Sequence, residues 1–188
     1  RQMCIRDRAI RWGKGIKNPG RVISDFFSFS DFAPTFLDLA GITKDQHKMK
    51  DFSGKSWVSV FSNQTDENPR PYMIIGKERH DVGRENDQGY PVRAILEGKY
   101  FYSRNFESER WPAGNPETGY LNTDGSPTKT EILNLNRLGE DKSYWKYAFA
   151  KRPQEELYDV EKDPQCVKNL ADNDNFLSVK KGLKDKLM

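Results

Sequence analysis

Cysteine and histidine are almost missing from this sequence, with two of each in 188 residues. Cys4 and Cys166 stand far apart, in neither a Cys-x-x-Cys pair nor a zinc-ligand spacing, which excludes a disulfide framework and a structural zinc site. They leave the redox compartment unread. Long apolar runs are missing too. None approaches the length needed to span a bilayer, so a chain without membrane spans is expected. No secretory signal opens the sequence, and a chain starting mid-domain would not carry one. Charge of one sign is also lacking: 31 basic residues face 28 acidic ones, leaving +3. That balance argues against nucleic acid, which calls for a basic face or stripe.

What is present points to a folded, polar-surfaced protein. Aromatics supply 12% of the residues, against the composition of disordered chains, while the mean hydropathy is -0.90. A piece that has lost part of its packing partner would have this composition. The run Met3-Cys4-Ile5-Arg6-Asp7 resembles the translation of a transposon end used in preparing sequencing libraries. Residues 1–8 are therefore set aside from fold reasoning.

Periodicity predicts few but definite elements. Residues 22–29 read as a short extended piece. Ser30 or Asp31 caps a helix with Pro34 in its first turn, Phe32, Phe36, Leu37 and Ala40 on one face, and Gly41 as the stop. Trp57, Val58, Val60 and Phe61 suggest a short buried segment. Tyr72-Met73-Ile74-Ile75 reads as a buried strand, and two further runs, 92–95 and 100–102, join through Glu97-Gly98-Lys99 as a hairpin. Residues 111–129 read as a surface excursion and 144–150 as an aromatic, helix-compatible stretch. Residues 157–160 make a last strand, and a C-terminal amphipathic helix carries Phe176, Leu177, Val179, Leu183 and Leu187. Clustered strands closed by a helix predict an α+β unit, a small antiparallel sheet packed with that helix.

Four segments in order carry a resemblance. They are Ile10-Arg11-Trp12 with Gly15-Ile16 and Pro19-Gly20-Arg21; residues 30–42, beginning Ser30-Asp31-Phe32-Ala33-Pro34-Thr35; Gly54-Lys55-Ser56-Trp57; and Glu156-Leu157-Tyr158-Asp159-Val160 followed by Asp163-Pro164 and Asn169-Leu170-Ala171. Together they resemble the C-terminal third of sulfatases of the alkaline-phosphatase superfamily. The stretch from Gly76-Lys77-Glu78-Arg79-His80 to Gly89-Tyr90-Pro91-Val92-Arg93 is most similar to the heparan N-sulfatase-like branch, the N-sulfoglucosamine sulfohydrolases.

The resemblance implies a parent hydrolase of sulfate esters or sulfamates, a sulfuric ester hydrolase with a large N-terminal α/β domain. Residues 9–62 would be the tail end of that domain and 63–188 the C-terminal subdomain. It further implies a formylglycine nucleophile made from Cys or Ser in a Cys/Ser-x-Pro-x-Arg motif, and a calcium ion, both outside this chain. Cys4 and Cys166 do not fit that motif, and no Asp-Asn calcium motif before a Lys can be placed. No catalytic or metal residue is therefore assigned, and the chain alone is expected to be inactive. A periplasmic or extracellular location is implied by the resemblance only.

The candidate site is the connection between the strands at 72–75 and 92–95. It holds Glu78, Arg79, His80, Arg84, Tyr90 and Arg93. Arginine offers a planar fork matched to sulfate and carboxylate oxygens, histidine can donate to them, Glu78 can fix an arginine or accept sugar hydroxyls, and Tyr90 can stack on a sugar face. The same residues also suit a solvated charged loop with weak internal pairs. Trp111 is either a sugar platform or a pin for the excursion, and His47 reads as plain surface. Two other functions fit these features: a related phosphodiesterase or phosphonate hydrolase, and a non-catalytic module that binds anionic polysaccharide. Such a module would have to bury its own apolar faces, the Phe32-bearing helix included.

Overall fold

The hairpin organises the larger half of the molecule. In the computed structural model, residues 15–64, 70–78, 84–118 and 125–188 are described. The suspected adapter at 1–8, the Ile10-Arg11-Trp12 segment and the candidates Arg79 and His80 lie outside them. Two compact units result, Arg1–Met73 and Ile74–Met188.

In the second unit four strands lie in the order β1 (Tyr72–Lys77), β2 (Val92–Glu97), β3 (Tyr100–Asn105) and β4 (Glu155–Asp159). The division between units falls inside β1. β2 pairs antiparallel with β3 as the expected hairpin, Ile95 opposite Tyr102 and Glu97 opposite Tyr100, and β3 pairs antiparallel with β4, Tyr102 opposite Leu157. Side chains alternate between faces, so Ile95, Tyr102 and Leu157 share one face, and all three are fully buried. The C-terminal helix α6 (Leu177–Leu187) packs on β2 and β3, and buries Leu183. Burying each large side chain contributes roughly 1.5–3 kcal/mol. The expected α+β class, a small antiparallel sheet closed by a C-terminal helix, is what forms.

One carboxylate locks α6 to the sheet. Glu155 accepts hydrogen bonds from Tyr102 Oη at 2.7 Å and Lys184 Nζ at 2.8 Å. The Lys184 bond, helped by Tyr102 and opposed by burial, holds Glu155 down at a pKa of about 2. On the opposite face Glu156 accepts from Tyr158 Oη at 2.8 Å, Asn105 Nδ2 at 3.0 Å and Ser103 Oγ at 3.3 Å. Asn169 Oδ1 receives the amides of Leu157 and Ala171, each at 2.9 Å, stitching the last resemblance segment to itself.

Three expectations need correction, and one is borne out in helical form. Residues 22–29 form no strand. After the short helix α2 (Lys44–His47), residues 57–61 form the expected buried segment, as a short helix α3 (Val58–Phe61) with Trp57 and Phe61 buried. β1 exists, but it is an edge strand, and Ile74 and Ile75 are about half exposed rather than buried. The end of the excursion opens a helix, α4 (Pro127–Leu138), capped by Ser126, begun by Pro127 and stopped at Gly139. α5 (Ser143–Phe149) follows, confirming the aromatic helix.

The first unit is built around Asp31. Ser28 caps a 3-10 turn (Phe29–Asp31) that leads into α1 (Phe32–Leu39), and Asp31 takes the N-cap position of α1 as expected, though without a side-chain cap bond. Asp31 is fully buried and accepts from Ser28 N at 2.8 Å, Lys55 N at 2.9 Å, Trp57 Nε1 at 3.2 Å and Arg70 at 2.6 Å. Thr35 Oγ1 donates to Asp31 O at 2.6 Å and accepts from Trp57 N at 3.0 Å. Gly54 runs so close to the turn that a Cβ there would lie 2.0 Å from Ser30 O, which no side chain allows. The second and third resemblance segments are thus two sides of one knot. Arg21, in the first segment, reaches the backbone oxygens of Val60 and Phe61 at the end of α3 (Val58–Phe61).

Candidate functional site

The connection between β1 and β2 is closed at its base. Tyr90 N donates to Glu78 O at 2.8 Å, and a Cβ on Gly89 would lie 2.9 Å from that same oxygen, so glycine is required for the approach. Arg110 Nη1 donates to Gly89 O at 3.0 Å and steadies the same corner.

Arg84 sits inside, only 6% exposed. Its Nε donates to Trp111 O at 2.6 Å, Nη1 to Gln88 O at 3.3 Å and Nη2 to Pro112 O. The guanidinium also stands 5.3 Å from the centroid of the Tyr90 ring. Carbonyl oxygens, not a carboxylate, satisfy this cation. The arrangement clamps the connection to the start of the 111–118 excursion, a scaffold role that leaves the fork little freedom for a ligand. Tyr90 is equally interior, 3% exposed, and its hydroxyl has no partner among the described residues. Burial, and then Glu156, push the phenol up to about 12. A ring so enclosed has no face open for stacking on a sugar.

Arg93 and Glu78 face outward instead. They form an ion pair with side chains 40% and 62% exposed, and Arg93 Nη1 also donates to Val92 O at 3.0 Å. Arg93 lies over Gly76, where an added Cβ would meet the arginine side chain at 3.6–3.8 Å, an ordinary contact. Elsewhere in the connection and at its corner, like charges act on one another. Burial, and then Arg84, lower the pKa of Lys77; burial and Arg110 lower that of Arg84, against Tyr90. Like charges held close together are what a bound oxoanion would neutralise.

Trp111 is a pin. It meets Trp145 edge to face at 6.2 Å between centroids, with Lys151 5.7 Å from its ring. His47 accepts from Met49 N at 2.9 Å and packs on Phe52, a local surface role. Lys77 and Arg110 were missed in the sequence. Lys77 sat among the charges of the connection, but Arg110 lies far along the chain and only the fold brings it to Gly89. The described residues offer no group of three or more His, Cys, Asp or Glu side chains converging on a cation, and Cys166 is followed by Val167-Lys168-Asn169. These described residues fit neither a calcium site nor the formylglycine motif. Among the described residues no helix is long and apolar enough to cross a membrane.

No protein-family model matches the chain. Two ulvan-active sulfatases of Formosa agariphila are similar to it: one is 31% identical over 157 residues, covering 79% of this chain and 22% of the relative, and the other is 28% identical over 177 residues, covering 92% and 30%. The human N-sulphoglucosamine sulphohydrolase is 25% identical over 178 residues, covering 91% and 33%. The chain belongs to the sulfatase family, as a C-terminal part. It spans between about a fifth and a third of the length of these sulfatases. Among solved structures, a putative sulfatase from Bacteroides thetaiotaomicron (20% identical, TM-score 0.46) and the phosphonate monoester hydrolase of Agrobacterium radiobacter (16%, 0.46) align over 83% of the chain and 23% of each structure. At such scores neither separates sulfatase from phosphonate chemistry.

Proposed function

We propose that this sulfatase part serves a parent enzyme that hydrolyses sulfate esters or sulfamates of sulfated sugars, and that the connection at 76–93 helps to grip the sugar's oxoanions. The observation that supports the reading is the outward Arg93–Glu78 ion pair on a connection closed at its base by Arg84, Gly89 and Arg110. In that division of labour Arg84 and Tyr90 hold the base of the connection. Arg93 presents a fork to sulfate or carboxylate oxygens, and Glu78 keeps it aligned or accepts a sugar hydroxyl. Arg79 and His80, between them in sequence, are proposed as further contacts. Formylglycine and calcium belong to the part of the parent outside this chain, which acts in the periplasm or outside the cell. The names of the relatives, ulvan-active and N-sulphoglucosamine-directed, support a sulfated carbohydrate as substrate.

A stand-alone polysaccharide-binding module would cover its own apolar faces. Phe36 on α1 is 63% exposed, which supports the partial-chain reading over that alternative. The test is steady-state hydrolysis of a sulfated oligosaccharide by the parent enzyme. Arg93→Ala should raise KM about 10-fold with kcat little changed, the signature of lost uniform binding, and Arg93→Lys should recover part of it. An unchanged KM would remove Arg93 from the site. The chain by itself should show no turnover.

A further inference from the structure

The sheet face that carries α6 treats its charges differently at its two ends. Side chains alternate along a strand, so Arg93, Ile95 and Glu97 of β2 share this face with Tyr100, Tyr102 and Arg104 of β3 and with Glu155, Leu157 and Asp159 of β4. At the turn end of the hairpin each cation has its own carboxylate. Lys186 Nζ donates to Glu97 at 2.5 and 2.7 Å, and Lys99 lies 3.3 Å from Asp159. At the open end one carboxylate serves three cations. Lys184 bonds Glu155 at 2.8 Å, while Lys180 and Arg104 stand 3.7 and 3.9 Å from it, beyond hydrogen-bond distance.

Arg93 stands directly opposite Arg104 in the β2–β3 register, and its own partner, Glu78, comes from the connection. Four cations thus meet two carboxylates here among the described residues. Like charges directly opposite in a sheet are destabilising, so the arginine pair costs stability as it stands. Arg104 is also underused: its Nε is buried and has no hydrogen-bond partner among the described residues. Its other neighbours are the Phe106 ring, whose centroid is 5.4 Å from the guanidinium carbon, and Tyr102, whose phenol burial and then Glu155 push up and Arg104 pulls down.

We propose that Arg104, Lys180 and Lys184 form a second oxoanion site beside Arg93, which takes a further sulfate group of an extended sulfated carbohydrate. A sulfate ester presents three outer oxygens, enough for a guanidinium fork and two ammonium groups at once. Glu155 holds the cations together and competes with the ligand for them. The carbohydrate as ligand rests on the reading given above; the surplus of positive charge does not.

The experiment measures equilibrium binding to the chain by calorimetry. The probes are a polysulfated oligosaccharide containing uronic acids and its desulfated counterpart, which keeps the carboxylates. Arg104→Gln should weaken binding of the sulfated probe about 10-fold and Lys180→Gln about 3-fold, and Arg104→Lys should recover part of the first loss. Glu155→Gln should tighten binding several-fold even though it lowers the Tm, because the competitor for the cations is gone. If Glu155→Gln instead weakens binding as Arg104→Gln does, the cluster only locks the fold and the proposal is overturned. It is overturned equally if the unsubstituted chain binds neither probe, if it binds both alike, or if Arg104→Gln and Lys180→Gln bind as it does. Arg93→Ala in the same assay reads the connection separately. Loss with Arg104→Gln but not with Arg93→Ala removes the connection and keeps this site, and the converse removes this site and keeps the connection.

Discussion

The two units solve the problem of burial in opposite ways. In the first, a single carboxylate with four donors fixes the backbone, and Phe29 and Phe36 remain exposed. In the second, Ile95, Tyr102 and Leu157 are sealed between sheet and α6, and the polar groups Glu155 and Glu156 are satisfied around that core. Hydrogen bonds define a shape but stabilise little in net, whereas apolar burial supplies most of the free energy. The first unit therefore holds its shape through polar bonds with little apolar burial among its described residues, and the second closes over its own core.

The largest expected effect breaks the first unit alone. Asp31→Ala leaves Arg70 and three N–H donors of the knot without their acceptor, and removing one side of a buried pair costs about 3–5 kcal/mol. Limited proteolysis should then cut within residues 15–64 while the 84–188 region resists. Equal sensitivity of both regions would mean that the units fold as one. Gly54→Ala, which collides with Ser30 O, should act in the same direction.

A smaller effect sharpens the second unit. The pKa of Glu155 is depressed to about 2 by Lys184, so its contribution is fully present above its ordinary value near 4.5 and is lost as the pH falls from there toward 2. After allowance for partial solvent screening this amounts to about 2 kcal/mol. Glu155→Gln should lower the Tm at pH 7 and flatten the acid limb between those values. An acid limb unchanged by the substitution would show that Glu155 does not lock α6.

Much of this architecture could be read without coordinates, wherever the signal was local. The β2–β3 hairpin follows from Glu97-Gly98-Lys99 between apolar runs, and α6 from the spacing of Val179, Leu183 and Leu187. α4 was passed over although Ser126, Pro127 and Gly139 are start and stop signals, because its few apolar residues sit in a polar stretch. The apolar run of β1 suggested burial, but composition cannot tell an edge from a centre. The site was the least legible part. Arg84 and Tyr90 look like ligand contacts in a charged loop, yet carbonyls 27 and 28 residues away claim the guanidinium, which stands over the buried Tyr90 ring. The resemblance segments, which carried the family assignment, turn out to be the joints of the fold: the Asp31 knot and the Asn169 stitch.

Hydrogen exchange measured residue by residue on the isolated chain tests the contrast most directly. The account predicts that α1 amides exchange orders of magnitude faster than those of β3. Equal protection of α1 and β3 in the isolated chain would contradict it.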